Sequence, residues 1–409
     1  MEWGPEPEMP LLLHRAPRAD LLAESLAELL RVSLEDPFAP ELVLVPARGV
    51  ERWLSQRLSH RLGPDPGRED GVCAGVEFRS PASLIAEVTG TRDSDPWAPD
   101  ALVWPLLGVV DAHAGEPWCR VLSEHLGHGR QGEEAELRMG RRYAVARRLA
   151  RLFASYAGQR PTLLQAWEAG PTGQEEGDGA DGRLAPDLHW QAELWRRLVA
   201  EVDQPTPSER QAQVVASLRD DPASADLPSR LSLFGHTRIP VTEAQLLAAL
   251  GEHRDVHLWL PHPSDALWRA LGDLTGAVPR PADESHRRAG HPLLTSLGRD
   301  IRELQRTLTR VRPAPVEQAP VSVPAPGATT LLSLLQHDIS GNAVPEDPTT
   351  RSLDAADRSV QVHACHGPAR QVEVLREVLL GLLADDPTLE PRDILVMCPD
   401  IEAYAPLVE

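Results

Sequence analysis

The chain has 409 residues, 42% of them hydrophobic, which excludes a chain too polar to fold and suits about two to four compact units. No charged, apolar and small-residue pattern marks a secretory signal near the N-terminus, and no apolar run approaches about 18 residues, so a cytoplasmic protein without a membrane partner is expected. A formal net charge of -20 excludes a uniformly basic surface, and all 41 basic residues are Arg, so a nucleic-acid contact would have to come from a local Arg patch.

In chain order, Leu11 to Leu13 is a short apolar run, and Asp20 is placed to cap a helix whose face is Leu21, Leu22, Leu26, Leu29 and Leu30. Leu42 to Val45 then reads as a continuous apolar strand, followed by the turn Pro46-Ala47-Arg48-Gly49 and a helix carrying Trp53, Leu54 and Leu58. Val76-Glu77-Phe78 is a further strand, and Pro81-Ala82-Ser83 opens a helix. Continuous rather than alternating apolar strands predict an α/β fold with a parallel sheet covered on both faces.

A mostly helical middle follows. Its clearest segment runs from about Glu134 to Ala157, with Val145, Leu149, Leu152, Phe153 and Tyr156 on one face. Gly170 to Gly182, rich in Gly and acid, predicts a mobile loop. Strands return at Arg230 to Phe234 and Val256 to Leu260, joined by a turn at Gly235 to Pro240 and a helix from about Thr242 to Leu250. Pro313 to Pro326 has the composition of a stiff linker. A second α/β pattern then starts: strand Val360 to Ala364, helix Ala369 to Leu383, strand Asp393 to Cys398. It breaks off at Glu409 inside another helical pattern, so a longer polypeptide is expected. The expected organisation is a first sheet segment over 1–90, a helical insertion over 91–228, a return to the sheet and a Pro-rich linker over 229–345, and the start of a second α/β domain over 346–409.

The chemistry-bearing motifs are mostly missing. A phosphate-binding loop needs Gly-rich backbone and a Lys, but the turn after Leu42 to Val45 offers Gly49 preceded by Arg48, and the chain has no Lys. The strand ending Phe234-Gly235-His236 lacks the terminal Asp or Glu that would hold magnesium. His253 and His257 have no intervening Glu of an HExxH site and are expected as ordinary surface or strand-edge histidines; His363, Cys365 and His366 are expected to be structural. Cys73, Cys119, Cys365 and Cys398 form no CxxC pair and are expected as buried free thiols. No catalytic residue, metal or cofactor is therefore assigned to this chain.

Arg138, Arg141, Arg142, Arg147, Arg148 and Arg151 concentrate positive charge in an otherwise acidic chain. That pattern suits a phosphate-binding surface, and it equally suits a solvated helix paired with Glu133, Glu134 and Glu136. Arg160 before Pro161, and Arg48 with Arg52 at a helix entrance where backbone donors face an anion, are further candidates.

The segment Asp36-Pro37-Phe38-Ala39-Pro40-Glu41-Leu42-Val43-Leu44-Val45 with Gly49 and Trp53-Leu54 resembles the opening of the RecC family, the gamma chain of exodeoxyribonuclease V. So do Phe78 with Pro81-Ala82-Ser83, Tyr156 with Arg160-Pro161, His291-Pro292-Leu293-Leu294, and above all Val362 to Leu375 with Asp386 to Ile394. The resemblance covers essentially the whole chain. It implies a superfamily 1 helicase-like fold that has lost its ATPase motifs, with a 1B-like insertion and a truncated 2A-like domain. It also implies a non-catalytic subunit of the RecBCD helicase-nuclease, which acts in DNA repair and recombination. RecB-like and RecD-like partners would hold ATP and Mg, and single-stranded and forked double-stranded DNA would be bound. An AddB-type helicase-nuclease subunit and a purely structural scaffold are the alternatives.

In this family the 3′ strand is scanned for the Chi octamer by side chains around the lost ATP site. Carried over, these positions are Pro46, Arg48 and Arg52, then Ser80 and Ala86, then Arg151, Leu152, Ala154 and Arg160. The departures are large, since the family's amide and hydroxyl readers at the first turn are replaced here by Pro46, Arg48 and Arg52. Of the candidate cations the resemblance covers Arg48, Arg52, Arg151 and Arg160, and the Arg-rich helix pattern adds Arg147 and Arg148; DNA binding is expected through these six, with either an altered sequence preference or a plain grip on phosphates.

Overall fold

Four runs of buried apolar residues make the centre of a parallel sheet. The computed structural model describes residues 11–36, 38–62, 71–170, 188–276, 278, 280–319, 329–347, 349 and 351–408. The chain divides into two units, Met1–Pro324 with His337–Glu346, and Ala325–Gln336 with Asp347–Glu409.

In the first unit, β1 (Leu12–Ala16), α1 (Ala19–Leu30), β2 (Glu41–Leu44), α2 (Arg48–Ser59), β3 (Val76–Arg79) and α3 (Pro81–Val88) come first. Seven α-helices follow among the described residues: α4 (Val103–Ala112), α5 (Arg120–His125), α6 (Glu133–Met139), α7 (Arg142–Gln159), α8 (Pro161–Glu168), α9 (Trp190–Val202) and α10 (Pro207–Asp220). The sheet resumes with β4 (Arg230–Phe234), α11 (Val241–Gly251), β5 (Asp255–Pro261) and α12 (Asp265–Ala270), and continues through α13 (Pro292–Ser296) and α14 (Arg299–Leu308) to β6 (Val316–Glu317). The strand order is β3-β2-β4-β5-β1-β6 and every pairing is parallel.

Alternation divides the side chains between two covered faces. Leu42, Leu44, Leu231, Leu233, Val256 and Leu258 join the core that holds α10, α11 and α14, whereas Val43, Val45, Phe234 and Trp259 join the core that holds α1 and α2. Burying each such Leu or Val is worth about 1.5–3 kcal/mol. Helices α4, α5, α7, α8 and α9, between β3 and β4, have their own core, with Trp97, Phe153, Trp167 and Trp195 at its centre. Its entry and exit are pinned: the Trp97 indole N–H donates to the Pro205 carbonyl at 2.8 Å, and Thr206 and Glu209 form a reciprocal capping box on α10.

Several expectations need correction. Asp20 does not cap α1: the helix starts at Ala19, with Arg18 at the cap position, and Asp20 lies in the first turn, where it accepts from Arg18 Nε at 3.0 Å. The single helix expected from Glu134 to Ala157 is two, α6 and α7, broken at Gly140 and Arg141. The apolar spacing continues across the break, but Gly is about 1 kcal/mol worse than Ala inside a helix. The expected linker from Pro313 contains β6, whose Val316 N–H donates to the Leu11 carbonyl at 2.8 Å; residues 320–326 of it lie outside the described residues, as do residues 171–182 of the expected Gly-rich loop. His257 is not at the surface but buried in β5. All four cysteines are free, but only Cys119 is buried.

The second unit holds the start of α15 (Leu331–Gly341), whose residues from His337 on belong to the first unit; its Leu331 and Leu332 N–H groups donate to Asp357 at 2.7 Å and Ser359 at 3.0 Å. Helices α16 (Pro368–Asp385) and α17 (Ile401–Val408) follow, and Tyr404 donates to Gln371 between them at 2.6 Å. The strands expected at Val360 to Ala364 and Asp393 to Cys398 do not form among the described residues. A parallel strand is held by neighbours supplied from elsewhere in the chain, and these segments pair with none, leaving Val362 94% and Met397 86% exposed. His363, Cys365 and His366 are correspondingly exposed or half-exposed and not set out on a strand face.

Candidate nucleic-acid interface

The loops at the carboxyl ends of β2 and β4, adjacent strands whose onward connections run in opposite directions across the sheet, border the crevice where open α/β sheets take ligands. After β2, Pro46 and Ala47 lead into α2, so that Arg48 is its first residue and Arg52 lies one turn on. Both are exposed, and neither makes an ion pair or side-chain hydrogen bond among the described residues. After β4, Gly235 takes a φ of 75, a conformation glycine adopts without strain, and the chain turns back toward α11. His236 is buried there and donates from Nδ1 to the Phe234 carbonyl at 3.1 Å; burial lowers its pKa to about 4, so it is neutral.

The far end of α7 docks onto this same edge. Thr242, at the start of α11, donates to the Gly158 carbonyl at 3.2 Å, and a Cβ at position 158 would come within contact distance of Pro240. Arg160 follows immediately, half-buried, as the hinge residue between α7 and α8, with its N–H donating to the Tyr156 carbonyl at 2.7 Å. Burial raises the Tyr156 hydroxyl pKa, and the adjacent Arg160 charge works against that shift. The fold thus brings Arg160 to the edge that carries Arg48 and Arg52. Ser80 is engaged as the N-cap of α3, accepting from Ser83 N–H at 3.2 Å.

Arg147, Arg148 and Arg151 are not part of that cluster. They lie farther back along α7, with Arg147 about 20 Å from Arg160 at a helical rise of 1.5 Å per residue. All three are exposed, while Ala146, Leu149, Ala150 and Phe153 of the same helix are buried. The pairing with Glu133, Glu134 and Glu136 expected of a solvated helix is realised only in α6 and its approach, where Glu134 binds Arg138 at 2.9 Å and Arg130 at 3.6 Å. Arg142 pairs instead with Asp111 of α4. Among the described residues, Arg147, Arg148 and Arg151 have no acidic partner, and α7 contains no Asp or Glu.

The sequence reading missed two exposed aromatic rings beside this face, Trp104 of α4 and Tyr143 of α7, because helical periodicity marks what is buried and gives no sign of which rings from separate helices meet. Among the described residues no group of three or more His, Cys, Asp or Glu is set to hold a metal ion, and no helix is long and apolar enough to cross a membrane.

The family model described as "RecC, N-terminal domain" matches residues 11–342, which takes in the whole sheet and the helices inserted in it. The chain belongs to the RecC family. It is 62% identical over 404 residues to the RecBCD enzyme subunit RecC of Mycobacterium tuberculosis strain H37Rv, covering 98% of this chain and 35% of that protein. It is 59% identical over 400 residues to RecC of Mycolicibacterium smegmatis, covering 98% of this chain and 34% of that one. With RecC of Escherichia coli K12 it shares 28% identity over 446 residues, 98% of this chain and 38% of the relative. The chain thus spans about a third of the length of the curated RecC relatives it matches. Membership of the RecC family decides against the AddB-type alternative.

Proposed function

We propose that the chain is the N-terminal part of a non-catalytic RecC subunit in a RecBCD-type helicase-nuclease, where it grips and guides the 3′ single strand during double-strand break repair by homologous recombination. The observation that carries this is the exposed, acid-free α7 face, with Arg147, Arg148 and Arg151 lacking any described acidic partner in a chain of net charge -20. Arg48, Arg52 and Arg160 add a second set of cations at the sheet edge, and the strand would run between the two sets. Arg side chains suit both phosphates and guanine edges, so scanning for a Chi-like sequence belongs to the same reading.

A parallel sheet interrupted by a separately packed helical block suits a superfamily 1 helicase-like domain with a 1B-like insertion, and the second unit suits the beginning of a 2A-like domain. The chain's own turns argue against nucleotide hydrolysis. The turn after β1 holds Pro17, which has no N–H to offer a phosphate, and that after β2 holds Pro46. The end of β4 presents Gly235 and His236 in place of a carboxylate. On this reading ATP and Mg are handled by RecB-like and RecD-like partner subunits, and forked double-stranded DNA reaches the chain within that assembly.

The test is fluorescence anisotropy of a labelled single-stranded oligonucleotide titrated with the purified chain, together with an ATPase assay. Weak binding that falls steeply with salt, without ATP turnover, is expected. DNA-stimulated ATPase activity from this chain alone would reject the proposal. A strand held by the assembled complex that crosslinks at none of Arg48, Arg147, Arg148, Arg151 and Arg160 would favour a structural scaffold.

A further inference from the structure

Trp104 of α4 is 70% exposed and Tyr143 of α7 is 51% exposed, yet their rings meet with centroids 6.1 Å apart at an interplanar angle of 56°. Other tryptophans of this helical block are used inside it: the indole N–H groups of Trp97 and Trp195 donate to Pro205 and Glu168, and both rings are buried in its core. Trp104 does neither, since its indole N–H has no partner among the described residues and its ring faces solvent. Packing of α4 is carried instead by Val103, Leu106, Val109 and Val110. The pair is nonetheless held in place, because Arg142, next to Tyr143, forms an ion pair with Asp111 of α4 and so clamps the first turn of α7 beside that helix.

Tyr143, Arg147 and Arg151 follow at four-residue intervals and therefore stand one above the other along α7. The aromatic pair is the end of the same exposed ridge that carries the unpartnered guanidinium groups. We infer that Trp104, braced by Tyr143, is a base-stacking platform for single-stranded nucleic acid, with the phosphates on either side of the stacked base gripped by Arg147, Arg148 and Arg151. A flat ring takes any base, so the platform adds affinity without sequence preference. Charge complementarity selects this occupant: the ridge is cationic and α7 offers no acid. Exposed Leu137 and Met139 on α6 suit the competing occupant, an apolar protein surface.

The inference rests on the proposed strand-binding role, and its test separates the two. Full-length chain, wild type or carrying Trp104→Ala, Trp104→Phe or Arg151→Ala, is titrated against a labelled oligothymidylate and against an abasic strand of equal length and charge. Trp104→Ala is expected to weaken oligothymidylate binding by between about fivefold and about a hundredfold, to leave abasic binding unchanged, and to keep the wild-type melting temperature. Trp104→Phe should retain most of the affinity, and Arg151→Ala should weaken both strands alike. Equal loss on both strands in Trp104→Ala would overturn stacking. Unchanged binding in Trp104→Ala, with Arg151→Ala still weakened, would overturn the platform and leave the strand-binding role standing, whether or not Trp104→Ala also disturbs association with a protein partner. Absence of binding by the wild type at low salt would overturn both.

Discussion

His14 of β1 and His257 of β5 face each other in the sheet, His14 Nε2 to His257 Nδ1 at 3.0 Å, with the Trp259 indole stacked on His14 at a centroid separation of 3.9 Å. One ring must donate and the other accept, so the bond requires at least one of the two imidazoles to be neutral. Burial lowers each pKa to about 4, helped at His14 by His257 and at His257 by the Arg230 charge. His236 and His262 are likewise held at about 4 by burial.

These four depressed histidines fix the sign of the acid response. Between the ordinary value of 6.5 and about 4 the unfolded chain binds more protons than the folded one, so stability is full above pH 6.5 and falls as pH drops toward 4. Glu243, raised to about 7 by burial, acts in the opposite direction over 4.5 to 7, but it is one group against four. The urea midpoint is therefore expected to fall between pH 7.5 and pH 5, with Glu243→Gln raising stability at pH 8 and making the acid decline steeper. A midpoint that holds or rises on acidification would contradict the buried neutral histidines.

A buried ion pair ties the start of β2 to β4. Arg230, 7% exposed, donates to both Glu41 carboxylate oxygens and to the Val32 carbonyl at 2.6 Å, and Glu41 is 13% exposed. Removing one partner leaves a buried charge without compensation, at about 3–5 kcal/mol. Glu41→Gln should lower the urea midpoint accordingly, while the double change Glu41→Leu with Arg230→Met should recover most of the loss. If the double variant is as unstable as the single one, the stabilisation lies in packing and not in the charge pair.

The sheet was legible in the sequence because strands covered on both faces are written as continuous apolar runs: Leu42 to Val45 and Leu231 to Phe234 announce themselves without knowledge of their neighbours. β6 was not legible, since two residues in a Pro-rich stretch carry no period, and its existence depends on the Leu11 and Leu13 carbonyls far back in the chain. For the same reason Val360 to Ala364 reads as a strand and is none. Positive charge on α7 was visible in the residues themselves. Which Arg residues are neutralised was not, because Arg142 finds its acid on α4 and Arg138 finds Glu134 on its own helix. Ion pairing is a property of tertiary neighbours.

The capping box on α10 gives a local test of the helical block. Thr206 accepts from Glu209 N–H at 3.3 Å, and Glu209 accepts from Thr206 N–H at 2.8 Å, with Thr206 itself buried. Thr206→Ala is expected to lose about 1 kcal/mol, and Thr206→Ser to lose much less, in thermal or urea unfolding. Equal losses would mean that the Thr206 methyl, and not its hydroxyl, supports the helix.

The partner pattern on α6 and α7 makes a further prediction about salt. A cation already neutralised within the protein releases few counterions when a strand binds, whereas a solvated one contributes about 0.7 to the slope of log K against log salt for single strands. Arg147→Ala, Arg148→Ala and Arg151→Ala should each flatten that slope by about this amount and weaken binding alike across sequences. Arg138→Ala should leave the slope unchanged, since Arg138 is held by Glu134 at 2.9 Å and by the Glu124 carbonyl at 3.0 Å. Anisotropy titrations over a range of sodium chloride concentrations measure this directly. The comparison turns on the contrast between the two helices: if Arg138→Ala flattens the slope as much as Arg151→Ala, the strand responds to total charge and the α7 face is not its path.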